Sequence, residues 1–189
     1  MRIVAGTRKG TRIFAPKGWE TRPTSDRVRE AAFNLIGPVD GATVLDLFAG
    51  SGAMGLEALS RGASSCVFVE CDRDAVRTIE RNLDKLRLTG ATVLRVDARA
   101  ALAAEAGAGR RYDLVLVDPP YGMLSQVEPS LSGYLPAVLA EDGLAVVESN
   151  ALEQPELPLA VRTTRRYGST RLTLFEHVPS SPSGEGYGP

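Results

Sequence analysis

Hydrophobic residues repeat one pattern through the middle of the chain, where short apolar runs alternate with segments of helical spacing. The runs that predict strands are 43–48, 65–70, 92–96, 113–118 and 144–148. The segments that predict helices are 54–60, 73–86, 98–106 and the more weakly patterned 129–139. Short strands that alternate with helices are typical of a parallel, doubly wound sheet, so we expect an α/β fold of the Rossmann-like type.

The two ends of the chain depart from this alternation. The consecutive runs 158–167 and 170–178 predict an antiparallel hairpin at one edge of the sheet, which brings the sheet to seven strands and leaves it mostly parallel. The runs 2–5 and 11–14 flank a basic turn and predict a small N-terminal β-hairpin extension.

A helix is predicted between this extension and the sheet. It should begin near residue 25, with Thr24 or Ser25 as its cap, and end before Gly37. Its apolar positions recur with the spacing of one helical face: Val28, Ala31, Ala32 and Leu35.

The size and composition of the chain suit a single core, since 43% of its 189 residues are hydrophobic. We predict a basic N-terminal extension (1–23), one α/β domain (24–178) and a tail (179–189) that is disordered because it lacks apolar periodicity. There is no signal-peptide pattern, no apolar run of membrane-spanning length and no metal-type Cys/His spacing. We therefore expect a cytoplasmic protein that binds neither a membrane nor a metal. We also expect a monomer, although no feature of the sequence determines the oligomeric state.

Charge is distributed unevenly along the chain. The first thirty residues carry eight Lys or Arg and three Asp or Glu, whereas the rest carry fourteen basic and twenty acidic residues. A basic arm on an acidic body favours a polyanionic partner, although a solvated charged face would have the same composition.

A glycine-rich loop follows the first strand of the α/β domain. Gly50, Gly52 and Gly55 form a G-x-G-x-x-G pattern that lets the backbone approach a ligand, and Glu70 ends the next strand, where an acidic residue would bind a ribose. A nicotinamide-dependent oxidoreductase and a methyltransferase would both carry these features.

Two aspartates favour S-adenosylmethionine as the ligand. Asp46 lies just ahead of the loop, where it could face a cationic amino group but would repel a pyrophosphate. Asp97 ends the third strand, where it could accept a hydrogen bond from an adenine amino group.

The tetrad Asp118, Pro119, Pro120 and Tyr121 follows the fourth strand. The prolines remove two backbone donors and stiffen the turn, so the Asp118 carboxylate and the Pro119 carbonyl are two acceptors suited to an –NH₂ group. The Tyr121 ring offers a face on which a base could stack. This arrangement indicates methylation of an amino group on a nucleic-acid base, whose nitrogen needs both positioning and activation.

At these residues the chain resembles the RsmD-type methyltransferases of bacteria, which methylate the N2 amine of one guanine in 16S ribosomal RNA. The resemblance covers about residues 1–178. It is carried by the glycine loop, the tetrad and the segments 2–6, 22–30, 45–62 and 167–172.

The resemblance implies roles for several candidate residues. Gly50, Gly52 and Glu70 would hold the methionine and ribose parts of the cofactor, and Asp46 and Ser51, at the same loop, are further candidate cofactor contacts. Asp97 and Ala98 would contact its adenine, and the tetrad would hold the target amine.

RNA phosphates are the expected partners of the basic residues Arg8, Lys9, Arg12, Arg22 and Arg27. By resemblance the substrate is 16S rRNA within an assembled or assembling small ribosomal subunit. Nothing in the residues separates guanine N2 from adenine N6 or RNA from DNA. Another base-amine methyltransferase and, less favoured, the oxidoreductase therefore stay open as alternatives.

Overall fold

The computed structural model describes residues 1–16 and 26–178. Its strands are β1 (Thr43–Leu47), β2 (Ser65–Glu70), β3 (Ala91–Arg95), β4 (Tyr112–Val117), β5 (Leu139–Asn150), β6 (Ala160–Tyr167) and β7 (Thr170–Glu176). Its helices are α1 (Asp26–Ile36), α2 (Ala53–Ser60), α3 (Arg73–Leu86), α4 (Ala98–Gly107) and α5 (Leu124–Val138).

The seven strands form one sheet in the order β3-β2-β1-β4-β5-β7-β6. The first five strands pair in parallel, whereas β7 runs antiparallel to β5 and β6 antiparallel to β7. This confirms the predicted doubly wound sheet with an antiparallel hairpin at its C-terminal edge. Because the strand order reverses between β1 and β4, a crevice is expected at the carboxyl ends of these strands.

Each face of the sheet packs against its own layer. Alternate residues of β4 point to opposite faces, so Leu114 and Leu116 join one core cluster, whereas Val115 and Val117 join the other. The first cluster also contains residues of α1, α2, α3 and the N-terminal arm, and the second contains residues of α4 and α5. The continuous apolar character of the central strands follows from this burial on both sides.

Two elements differ in extent from the sequence prediction. Helix α5 begins at Leu124, five residues before the predicted start at Pro129, and contains Pro129 in its interior. The prediction was wrong there because proline is most often found in the first turn of a helix. Strand β5 begins at Leu139 and not at Leu144, since Leu139 pairs with Tyr112 across a register shift in β4.

Helix α1 buries a different face from the one that its apolar spacing predicts. Its buried residues are Arg29, Ala32, Phe33 and Ile36, and Val28 and Leu35 are only partly buried. The fully buried Arg29 side chain forms ion pairs with Asp26 and Glu57, and this pairing allows a cation to occupy the inner face of the helix.

The N-terminal arm, residues 1–16, folds back on itself at one antiparallel bridge between Arg2 and Arg12. A short 3₁₀ turn, Gly6–Arg8, lies between them, so the strands are shorter than the runs 2–5 and 11–14 predicted. The reason is that the Val4 and Ala5 N–H groups donate to the Glu57 carboxylate on α2 and not to a facing strand, at 2.7 and 2.8 Å.

Some predictions fall on residues outside the described ranges. These are the helix cap at Thr24 or Ser25, the candidate RNA contact Arg22 and the tail 179–189. Within residues 1–16 and 26–178, no helix combines the length and the apolarity needed to cross a bilayer.

Candidate active site

A cavity of about 530 Å³ opens at the carboxyl ends of β1, β2, β4 and β5. Most of the predicted cofactor and catalytic residues line it: Asp46, Gly50, Ser51, Glu70, Asp97, Ala98, Asp118, Pro119, Pro120 and Tyr121. Ligands of open α/β sheets bind at this edge, where the strand order reverses. Parallel pairing thus brings together residues that lie up to 75 positions apart in the sequence.

Glu70 holds the glycine loop in place. Its side chain is only 6% exposed, and its two carboxylate oxygens accept hydrogen bonds from the N–H groups of Gly50 and Asp72, at 2.8 and 2.9 Å. Each carboxylate oxygen has a second lone pair, so Glu70 can still accept from a ligand hydroxyl. The residue therefore shapes the loop as well as facing the cavity.

Asp46 is a buried carboxylate at the base of the cavity. Burial raises its pKa to about 7, and the negative charges of Asp118 and Glu70 add to this, whereas a hydrogen bond from the Gly55 N–H opposes it. That bond, to the Asp46 Oδ2 atom, is 2.9 Å long. A cationic group in the cavity would favour the ionised form, so the acidic floor suits a positively charged ligand.

Two positions of the loop require glycine, Gly55 because of packing and Gly52 because of its backbone conformation. A Cβ atom at Gly55 would overlap the Phe68 ring and lie 2.6 Å from the Cys66 sulfur, so only glycine allows α2 to approach β2 this closely. Gly52 has a φ of 78°, in the left-handed region, and precedes the first residue of α2. Gly52 does not itself line the cavity, although its neighbours Gly50 and Ser51 do, and its contact with the cofactor stays a prediction.

Asp97 lies at the start of α4 and caps that helix. Its carboxylate accepts from the N–H groups of Arg99 and Ala100 at 2.9 and 3.3 Å and pairs with the Arg99 guanidinium at 3.1 Å. The hydrogen bond from the Arg99 side chain lowers the pKa of Asp97. The local structure accounts for an aspartate here, and its contact with an adenine stays a prediction.

The tetrad Asp118–Tyr121 forms the turn between β4 and α5. The Pro120 carbonyl accepts from the Met123 N–H at 3.0 Å, which closes the turn. Asp118 is half-buried at the cavity, whereas the Tyr121 ring is 56% exposed. An aromatic face therefore lies at the cavity mouth next to a carboxylate, as stacking and hydrogen bonding to a base amine require.

The cavity has further walls that the sequence analysis did not assign. They are contributed by Met1, Phe48, Met123 and the end of β5, residues Glu148, Ser149 and Asn150. Phe48 has a φ of 61°, which is unusual for a non-glycine residue and ends β1 at Leu47. Glu148 could have been found, since it ends an apolar run in the same way that Glu70 and Asp118 end theirs.

The four predicted RNA contacts within the described residues lie outside the cavity. Lys9, Arg12 and Arg27 are exposed, and Arg8 is half-buried, with its N–H bonded to Ser60 Oγ and its guanidinium to the Arg87 carbonyl. Among the described residues, no group of three or more His, Cys, Asp or Glu side chains could hold a metal ion.

Comparison with known proteins identifies relatives over almost the whole chain. The family described as Conserved hypothetical protein 95 matches residues 1–176. YlbH of Bacillus subtilis, provisionally named an rRNA methyltransferase, is 41% identical over 186 residues, which cover 93% of this chain and 98% of that protein. Ribosomal RNA small subunit methyltransferase D of Escherichia coli K12 is 40% identical over 154 residues, 79% of this chain and 74% of that protein.

Solved structures agree with this relationship. The structure of yhhF from Escherichia coli, provisionally named a methyltransferase, superposes with a TM-score of 0.79 at 34% identity and covers 94% of this chain and 99% of that one. The Thermus thermophilus 16S rRNA N2 G1207 methyltransferase, solved with S-adenosylmethionine and guanosine, gives a TM-score of 0.71 at 26% identity, over 86% of this chain and 45% of that one. The predicted dependence on S-adenosylmethionine is confirmed, and the nicotinamide alternative is set aside. The chain belongs to the RsmD/YlbH family of S-adenosylmethionine-dependent rRNA methyltransferases.

Proposed function

We propose that this protein transfers a methyl group from S-adenosylmethionine to the N2 amine of a guanine in 16S rRNA of the small ribosomal subunit. The observation that carries the proposal is the tetrad Asp118–Tyr121 at the mouth of a cavity whose floor is acidic. Relatives named for small-subunit rRNA methylation, and a neighbour named for methylation of guanine N2, support the same substrate.

The cavity fits the cofactor in size and charge. Its volume of about 530 Å³ is within the range of small-molecule sites. The Asp46 carboxylate would pair with the cationic amino group, Glu70 would accept from the ribose hydroxyls, and Asp97 with Ala98 would border the adenine. The backbone of Gly50 and Ser51 would contact the methionine part. When bound, the cofactor supplies an electrophilic methyl group on a sulfonium.

The protein's own contribution to methyl transfer lies in the tetrad. An exocyclic amine is a poor nucleophile because its lone pair is delocalised into the ring of the base. The Asp118 carboxylate and the Pro119 carbonyl would each accept a hydrogen bond from the amine and return electron density to nitrogen, while the Tyr121 ring holds the base. The nitrogen loses one of these hydrogens as a proton when it is methylated, and the Asp118 carboxylate would receive it. Such preorganised acceptors strengthen as positive charge develops on nitrogen, which is how they lower the barrier.

The N-terminal arm would hold the RNA. Lys9 and Arg12 are exposed on it, and phosphate contacts from such residues give affinity without base selectivity. A partner of ribosomal size would span both the arm and the cavity mouth.

Nucleoside mass spectrometry tests the proposal. Small subunits that lack the modification are incubated with the protein and S-adenosylmethionine, and their RNA is digested and analysed. We expect N2-methylguanosine in 16S rRNA and none in large subunits treated alike. N6-methyladenosine in its place would identify the enzyme as a different base-amine methyltransferase.

A further inference from the structure

Asn82 connects the loop at the cofactor cavity with the end of the N-terminal arm. It lies on α3 and is fully buried. Its Nδ2 atom donates to the carbonyls of Ser51 and Phe14, at 3.1 and 3.0 Å, and its Oδ1 atom accepts from the Phe14 N–H at 2.7 Å. Because both amide hydrogens and the oxygen are engaged, one side chain fixes a cavity-lining residue relative to an arm residue.

Helix α3 touches the same loop at a second point, one turn earlier. A Cβ atom at Gly52 would lie 3.2 Å from the Ile79 Cγ1 atom, so Ile79 packs directly against the loop backbone. A displacement of the loop backbone would therefore move α3 at Ile79 as well as at Asn82, because a closely packed interior transmits such displacements.

The arm side of this connection carries positive charge. The Phe14 ring, which is 37% exposed, lies 4.3 Å from the Arg81 guanidinium carbon and 4.5 Å from the Lys85 ammonium. Arg12 is two residues away and exposed. Phe14 thus packs against two cations of α3, with Arg12 close to it in the chain, on a surface suited to phosphate groups.

We propose that Asn82 is a positioning residue that couples cofactor binding to RNA binding. A ligand held against Gly50 and Ser51 fixes the Ser51 carbonyl, which fixes the Asn82 amide and, through it, Phe14 and its cations. By linkage the coupling is reciprocal, so each ligand raises the affinity for the other by the same factor. The inference rests on the proposed function, since it takes the arm to be an RNA-binding surface.

The coupling is measured as the ratio of two dissociation constants for unmethylated small subunits, with and without saturating S-adenosylhomocysteine. For the unaltered protein we expect the cofactor product to tighten binding by about fivefold or more, the lower end of typical couplings. In Asn82→Asp, which keeps the shape but places a carboxylate against two carbonyl oxygens, the ratio should fall to about one.

Ser60→Ala is the matched control. Ser60 is also buried and also anchors the arm, since its Oγ atom accepts from the Arg8 N–H at 3.0 Å and donates to the Ala5 carbonyl at 2.7 Å. It does not line the cavity. Its loss should weaken RNA binding equally with and without S-adenosylhomocysteine and leave the ratio unchanged.

Hydrogen exchange tests the coupling on the unaltered protein, so this measurement does not depend on whether the variant folds. The Phe14 amide should exchange several-fold more slowly when S-adenosylhomocysteine is added, whereas the Arg8 amide should not change. Unaltered Phe14 exchange, or a ratio in Asn82→Asp equal to that of the unaltered protein, would overturn the coupling role alone. Absence of any binding to small subunits would overturn both this inference and the proposed function.

Discussion

Three carboxylates at the carboxyl ends of neighbouring strands differ in burial and in hydrogen bonding. Glu70 is bound to two backbone N–H groups and belongs to the loop as much as to the site. Asp46 is buried and has a raised pKa, whereas Asp118 is half-buried beside the exposed Tyr121 ring. The tertiary environment therefore gives residues of one chemical type different surroundings, which fits the different roles proposed for them in loop support, cofactor pairing and amine binding.

Asp118→Ala should lower methyl transfer far more than it lowers cofactor affinity. The carboxylate is proposed to act on the amine mainly in the transition state, and loss of one such contact costs roughly 10²–10³ in rate. Single-turnover methyl transfer and the dissociation constant of S-adenosylhomocysteine are measured together.

The matched control for this prediction is Asp113→Ala, at the opposite end of β4. Asp113 accepts from the N–H and hydroxyl of Thr43 at 2.7 and 2.8 Å, far from the cavity, so its loss should affect the melting temperature and spare the rate. A stable Asp118→Ala protein with near-normal turnover would remove Asp118 from the chemistry.

Cofactor affinity should depend on pH through Asp46. Its pKa is raised to about 7 in the free protein, and a cationic amino group pairs with the ionised form only. Affinity should therefore rise as pH increases from about 5.5 to about 7, by about tenfold over that range, and then level off. Below pH 7, binding should release a proton, because the ligand shifts the carboxyl toward its ionised form.

Calorimetry with S-adenosylhomocysteine in two buffers of different ionisation enthalpy measures both the affinity and the proton release. In the Asp46→Asn variant, the affinity should be lower and should not change across this range. A flat profile in the unaltered protein would show that Asp46 does not face the amino group.

At the scale of elements, Glu57 connects its own helix α2 with the N-terminal arm and with α1. It is fully buried, accepts from the Val4 and Ala5 N–H groups, and pairs with Arg29 and Arg61 at 3.4 and 2.8 Å. Ile3 and Ile13 of the arm also belong to the core cluster. The arm is thus built into the main domain, and deleting it would expose that core as well as remove the proposed RNA contact.

Glu57→Ala should destabilise the protein strongly. It leaves the buried Arg29 without its glutamate partner, and breaking a buried pair typically costs about 3–5 kcal/mol. Urea denaturation gives the free energy of unfolding. Arg77→Ala is the comparison, since Arg77 pairs with Asp74 at the surface, where the loss should stay below about 1 kcal/mol. A Glu57 effect as small as that of Arg77 would mean that the arm is not held by this network.

At the scale of the whole molecule, the described basic residues of the arm and α1 differ in how exposed they are. Of the arm and α1 cations, Arg29 is buried and Arg2 pairs with Asp26 at 3.3 Å, whereas Lys9 and Arg12 are exposed. The net positive charge of the first thirty residues therefore includes at least one cation, Arg29, that the proposed RNA surface could not use.

The double substitution Lys9→Ala and Arg12→Ala should weaken binding to small subunits and make it less dependent on salt. Each lost phosphate contact lowers the slope of log K against log salt by about 0.7–0.9, so two contacts lower it by about 1.4–1.8. Filter binding over a salt series measures the slope. S-adenosylhomocysteine affinity should not change, because neither residue lines the cavity. An unchanged slope would place the RNA elsewhere.

The sequence by itself determined the order and type of the main elements and ten of the residues that line the cavity. Apolar runs and helical spacing are local properties, so β1 to β4 and α2 to α4 could be predicted closely. Residues that end parallel strands must meet at one edge of the sheet, which is why Glu70, Asp97 and Asp118 could be assigned to a common site before the fold was known.

The tertiary structure alone decided which charged side chains are buried and which hydrogen bonds the backbone of the arm forms. The inward face of α1 depends on the pairing of Arg29 with Glu57, 28 positions away, and nothing in the spacing of α1 encodes that partner. Likewise, the arm's short strands reflect N–H groups taken by Glu57, and the link from Ser51 to Phe14 exists only because α3 brings Asn82 between them. Such long-range hydrogen bonds depend on distances in space, and a one-dimensional pattern does not contain those distances.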